Sequence, residues 1–217
     1  MSYSSSNFRR TPGRSASRSS PFLTPFALPV QPVLDVLSLT PESQVLALGE
    51  VSCRFMLPIA RYIATKKGTG TVYTCDFTEE GVLQTYQKAK DAHLIHLVVP
   101  LHWEAAKSRR LPLEDEEVDV IIAISTAVFQ SLPGRFVEES LRVLRNGGKL
   151  FIAEWLDTRK ALLRAGNHPR VTKEAALEIL TGTSGAVCTS LDIPELEWAV
   201  MLTKSPLATS LSYNQRR

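Results

Sequence analysis

Four apolar residues, Val45-Leu46-Ala47-Leu48, run out of the turn signal Pro41-Glu42-Ser43 and end on Gly49 and Glu50. The chain then passes through Val51-Ser52-Cys53 into a helical pattern over Arg54–Thr65. A buried strand that feeds a helix through a glycine turn is where parallel α/β sheets hold nucleotide-like ligands, since the unpaired N–H groups of the helix face the open end of the sheet. A second group with usable chemistry is Asp76, which closes the run Val72-Tyr73-Thr74-Cys75. A carboxylate at the carboxyl end of such a strand can accept hydrogen bonds from both hydroxyls of a ribose. Its competing role is electrostatic, as an acid at the start of the helical pattern Thr78–Lys90. Thr78 and Glu80 can fill that role themselves, which favours the ribose for Asp76. Phe77 follows, placed either to lie against the edge of a flat base or to pack on the sheet.

The remaining polar residues exclude several chemistries. Ser125, Thr126, Gln130 and Ser131 donate and accept hydrogen bonds, but none of them titrates near neutral pH, so a general base must come from elsewhere. His93 and His96 are three apart in a strand-like run, which points them to opposite faces, and His102 and His168 are isolated; a zinc site is not expected. Cys53, Cys75 and Cys188 form no CxxC pair and read as reduced thiols. The run Glu114–Glu117 reads as a solvated turn. Glu154 and Trp155 close the apolar run Lys149–Ala153, at a sheet end where acceptor pockets form.

These residues are carried by alternating strand and helix patterns. Strands are expected at Gln44–Leu48, Thr71–Cys75, Leu94–Val99, Val118–Ile124, Lys149–Ala153, Ala186–Leu191 and Trp198–Thr203, and helices at Arg54–Thr65, Thr78–Lys90, Phe136–Leu144 and Thr172–Leu180. Short β-branched runs alternating with helices imply βαβ units and a parallel sheet. Only Asp192-Ile193-Pro194-Glu195 separates the last two strands, too few residues for a crossover helix, so they should form an antiparallel hairpin. With 217 residues, 44% hydrophobic and 22% charged, the chain has the composition of one soluble globular domain, and no apolar run is long enough to span a bilayer. Residues 1–29 are rich in Ser, Arg and Pro and should form a mobile arm; its arginines and lack of acids also suit an organelle transit peptide. Apart from that arm the net charge of +3 leaves a nearly neutral body with no nucleic-acid footprint.

From about Pro32 to Ser205 the chain resembles the class I S-adenosylmethionine-dependent methyltransferases, in particular the small-molecule type that includes quinone and arsenite methyltransferases. Four segments carry the resemblance in the family's order: Val45–Gly49, Val72–Thr78, Leu111–Ile122 and Leu141–Leu150 with its Gly147-Gly148 turn. The resemblance implies an α/β, three-layer Rossmann-like methyltransferase fold, a mostly parallel seven-stranded sheet with an antiparallel C-terminal hairpin. It places that domain at residues 30–205, with a tail at 206–217. It implies S-adenosylmethionine as cofactor, contacted by Gly49, Glu50, Asp76, Phe77 and Ser125, with Glu50 near the cofactor ammonium. Val51 and Cys53 stand where the family has glycines, and Ala47 where it has an acid. The acid that the family places after its third strand is also out of register; Glu104 is the nearest carboxylate, and Trp103 can stack or pack. The implied function is methyl transfer to a small-molecule acceptor. The alternative is an inactive scaffold or binding module with a protein partner, and a nicotinamide-dependent enzyme fits the glycine pattern and the end hairpin poorly. A cytoplasmic location is expected, or an organelle if the arm directs import.

Overall fold

The computed structural model describes residues 30–49, 52–105, 107–124, 129, 131–155, 171–182, 185–194 and 196–206. The arm, the tail from 207, Glu50, Val51, Ser125 and His168 lie outside the described residues.

The elements in chain order are α1 (Val30–Leu37), β1 (Gln44–Leu48), α2 (Ser52–Thr65), β2 (Thr71–Asp76), α3 (Glu79–Asp91), β3 (Val98–His102) and β4 (Val118–Ile124). They continue with α4 (Pro133–Val143), β5 (Leu144–Trp155), α5 (Lys173–Thr181), β6 (Ala186–Leu191) and β7 (Leu196–Lys204). The strands form one seven-stranded sheet in the order β3-β2-β1-β4-β5-β7-β6. β1 pairs in parallel with β2 and β4, β2 with β3, and β4 with β5. β7 lies antiparallel between β5 and β6, so the expected end hairpin is present.

Each central strand is apolar on both sides because helices cover both faces. On one face Val33 and Leu37 of α1, Phe55, Met56, Ile59 and Ile63 of α2 and Ala89 of α3 share a core with Val45, Val72, Val120, Ile122 and Phe151. On the other, Phe136, Val137 and Val143 of α4 and Ala176 and Leu180 of α5 meet Leu46, Leu48, Ile121, Ala123, Leu150 and Ile152. The one-residue alternation along β1, β4 and β5 assigns neighbouring side chains to the two cores.

Several expectations change. The run Leu94–Val99 is not one strand: Ile95–Leu97 form a 3₁₀ turn and β3 starts at Val98. The apolar Leu94 is buried because it closes the end of α3, its N–H bonded to the Ala89 carbonyl, and not because it sits in the sheet. His93 turns the chain with φ +58° and His96 lies in the 3₁₀ turn, so the opposite-face strand reading of these two residues is withdrawn. α1 is a helix that the sequence patterns did not single out. Gly147 and Gly148 fall within the span of β5, whose pairing with β4 breaks after Leu144 and resumes at Lys149.

Among the described residues no helix bridges β3 and β4. The segment from Trp103 to Glu117 is held instead by α4. Arg142 donates to the carbonyls of Leu111 (3.1 Å) and Leu113 (2.9 Å) and to Asp115 and Glu139. Glu139 in turn accepts from the Leu111 N–H at 2.9 Å. Backbone groups left unpaired by the absence of a helix are thereby satisfied from the side chains of the neighbouring one.

Candidate functional site

The carboxyl ends of β1, β2, β3 and β4 lie at one end of the sheet, and of the residues singled out in the sequence Gly49, Asp76 and Phe77 lie there on the β1–β2–β3 side. Gly49 leaves β1 with φ +80°, a conformation that costs a side chain strain but suits glycine. Its N–H bonds to the Cys75 carbonyl (2.9 Å), prolonging the β1–β2 ladder, and its carbonyl accepts from Ser52 N–H (2.9 Å). The turn is therefore short, and α2 opens directly behind it with a buried Ser52.

Asp76 is the last residue of β2, in register with His102 at the end of β3. Its Oδ1 accepts from both the N–H and the hydroxyl of Thr78, each at 2.9 Å. Thr78 itself caps α3 by accepting the Gly81 N–H at 3.1 Å. The two roles weighed from the sequence thus divide between two residues: Thr78 caps the helix, and Asp76 is oriented by Thr78. Among the described residues Oδ2 of Asp76 takes no hydrogen bond. Gly81 makes this possible, because a Cβ there would overlap the carboxylate. Sequence reasoning missed Gly81; its signal is a glycine on the first turn of a helix, three residues after a capping threonine.

Phe77 and Trp103 face each other across the ends of β2 and β3, ring centroids 6.1 Å apart and tilted by 49°. The Trp103 N–H of the backbone bonds to the Asp76 carbonyl at 3.0 Å, and His102 Nε2 lies 3.3 Å from the Phe77 carbonyl oxygen. Trp103 is only 3% exposed, and among the described residues its indole Nε1–H has no hydrogen-bond partner. Glu104 is partly exposed and pairs with Lys107, which holds its carboxyl below the usual range. Cys75 is buried beneath these residues, and desolvation, with Asp76 adding to it, pushes its thiol up to about 12. It is therefore inert as a nucleophile.

The other candidates lie elsewhere. Glu154 is buried at the end of β5, opposite Trp198 of β7, whose Nε1 donates to the Val171 carbonyl at 3.0 Å. A cavity of about 320 Å³ lies beside the β6–β7 turn, between Lys173, Asp192, Ile193, Leu196 and Trp198. A polar cavity of about 420 Å³ lies at the opposite, amino end of the strands, where Asp119 and Arg145 pair at 2.9 Å. Among the described residues no group of three or more His, Cys, Asp or Glu is placed to hold a metal ion, and no helix is long and apolar enough to cross a membrane.

Comparison with known proteins follows this geometry. Residues 52–152 match the family model described as a methyltransferase domain. No curated protein matches the chain. Among solved structures, a SAM-dependent methyltransferase from Aquifex aeolicus is 23% identical, with TM-score 0.59, over 81% of this chain and 88% of that one. A putative S-adenosyl-L-methionine-dependent methyltransferase from Methanococcus maripaludis is 15% identical, with TM-score 0.63, over 82% and 86%. The [4+2]-cyclase SpnF is 17% identical, with TM-score 0.62, over 82% and 79%. Proteins named for different reactions thus share one architecture.

Proposed function

The chain has the class I methyltransferase fold, with a methyltransferase domain matched over residues 52–152, and from that premise we propose that it binds S-adenosylmethionine and transfers its methyl group to a small-molecule acceptor. The observation that carries this reading is the Asp76 carboxylate, steadied by Thr78 through one oxygen with the other left to accept from a ribose. The residues on the rim fit the cofactor. Gly49 adopts a positive-φ conformation that strains residues with a side chain, and Gly81 clears space for the carboxylate. Glu50, Phe77 and Ser125 complete the proposed contacts, with Glu50 on the cofactor's ammonium.

When bound, S-adenosylmethionine would supply an electrophilic methyl on its sulfonium sulfur, the carbon–sulfur bond breaking as the acceptor's lone pair forms the new bond, with S-adenosylhomocysteine as the leaving group. For the protein this chemistry needs alignment more than acid–base help when the acceptor is already nucleophilic. In this reading the described side chains at the strand ends, Asp76 and Phe77, bind and orient rather than move protons.

A second reading, a binding or scaffold module of the same fold, is favoured by Val51 and Cys53 at positions where the family has glycines. Calorimetric titration with S-adenosylmethionine and S-adenosylhomocysteine decides between the two. Micromolar binding supports the cofactor reading, and no heat with either ligand replaces it by the scaffold.

A further inference from the structure

The two edges of the sheet differ in what they offer to another strand. At one edge, the Trp103 N–H bonds to the Asp76 carbonyl. Alternate residues of a parallel strand bond the same neighbour, so Val99 and Leu101 face β2 and Pro100 faces the free side. A proline there has no N–H to give, which guards an exposed edge against further pairing. At the other edge β6, Ala186-Val187-Cys188-Thr189-Ser190-Leu191, carries neither proline nor charge. Among the described residues it pairs with β7 alone. The Ser205 N–H bonds to the Gly185 carbonyl, which fixes the phase of that antiparallel ladder. Val187, Thr189 and Leu191 therefore bond toward β7, and the N–H and C=O groups of Ala186, Cys188 and Ser190 point away from the sheet. Val187 is 63% exposed, and Thr189 and Ser190 are exposed beside it.

We propose that β6 is a self-association edge, to which a second copy of this chain adds its own β6 in antiparallel register about a two-fold axis at Cys188. Symmetry favours a second copy over another partner. The outward groups are evenly disposed about Cys188, so the same strand turned by a two-fold axis meets every donor with an acceptor. That register sets Cys188 opposite its own copy, and Val187 opposite the partner's Thr189. The two exposed β-branched side chains then cover each other on one face of the joined sheet. Like charges, a usual barrier to pairing between edges, are lacking along β6. The contact uses the same patch on both copies, and Pro100 guards the remaining edge, so assembly closes at a dimer.

Sedimentation of the full chain over a range of micromolar concentrations should show a monomer–dimer equilibrium with nothing larger. The double variant Val187→Lys/Thr189→Lys sets lysines opposite lysines and should be monomeric, as should Val187→Glu/Thr189→Glu. Mixing the two should restore a dimer with one copy of each, because every lysine then meets a glutamate. That recovery separates a lost contact from a misfolded variant. In the wild type, the amides of Ala186, Cys188 and Ser190 should exchange hydrogen more slowly as protein concentration rises. A monomer at every concentration, or growth beyond a dimer, overturns the proposal. Slow exchange of those amides in a monomer overturns it in favour of another segment of the chain lying along β6. A dimer that persists in both charged variants, or a mixture that stays monomeric, overturns it as well.

Discussion

At the scale of single residues, the proposed site depends on where one carboxylate is held. Asp76→Ala should weaken S-adenosylhomocysteine binding about 10- to 100-fold, the range for charge-assisted hydrogen bonds to a ribose, with little change in melting temperature; calorimetry and thermal denaturation read both. Gly81→Ala separates two opposed effects. Alanine favours a helix by about 1 kcal/mol over glycine, yet its Cβ would displace the Asp76 carboxylate. The end of a short side chain can swing away cheaply, so stability should hold or rise slightly while affinity falls toward that of Asp76→Ala. Binding unchanged in Gly81→Ala would show that the carboxylate's position does not matter to the ligand.

At the scale of elements, the β3–β4 crossover is held by the helix beside it rather than by a helix of its own. The Arg142 side chain is 16% exposed and Glu139 is 15% exposed, so their pair is largely shielded from solvent, whereas Asp115 is 67% exposed. Arg142→Ala also removes the donor to the Leu113 carbonyl and leaves the Leu111 carbonyl with the Leu113 N–H alone. It should cost about 2–3 kcal/mol in urea unfolding, the size for charged hydrogen bonds and buried groups left unpaired. Asp115→Ala, at a solvent-screened pair, should cost about 0–1 kcal/mol. Equal midpoints for the two variants would show that the crossover is not held through Arg142.

At the scale of the whole molecule, two acids of the β2 strand link stability to alkaline pH. Burial raises Cys75 from 9.0 to about 12. Burial and the hydrogen bond to Glu117 raise Tyr73 from 10.0 to about 12. Each is raised above its unfolded value, so its contribution is fully present below pH 9 and is lost as pH climbs toward 12. Unfolding free energy should therefore fall through that window, and Cys75→Ala should fall less steeply while costing stability at neutral pH through lost packing. Denaturant titrations at stepped pH measure the slope; parallel curves for the two proteins would remove Cys75 as a cause.

How much of this was legible in the sequence follows from the range of each interaction. The alternation of apolar strand runs and helical patterns is a local property, and it sufficed for most elements along the chain and for the hairpin at the sheet's end, whereas the order of the strands in the sheet is set by long-range crossovers. The cap on α3 was legible for the same reason, since Thr78 and the Gly81 N–H are three residues apart. Leu94 misled because an apolar residue that closes a helix end and one that enters a strand look alike in a pattern. The rim itself was only half legible. Asp76 could be named, but not which of its oxygens Thr78 would occupy, nor that Gly81 would make room for it. Trp103 could be read as stacking or packing, and only the folded chain shows it buried in the apolar core, its N–H without a partner among the described residues. Periodicity is written in neighbouring residues and survives in a one-dimensional reading. Whether a buried group is satisfied depends on residues far apart in the chain, and only the folded packing decides it.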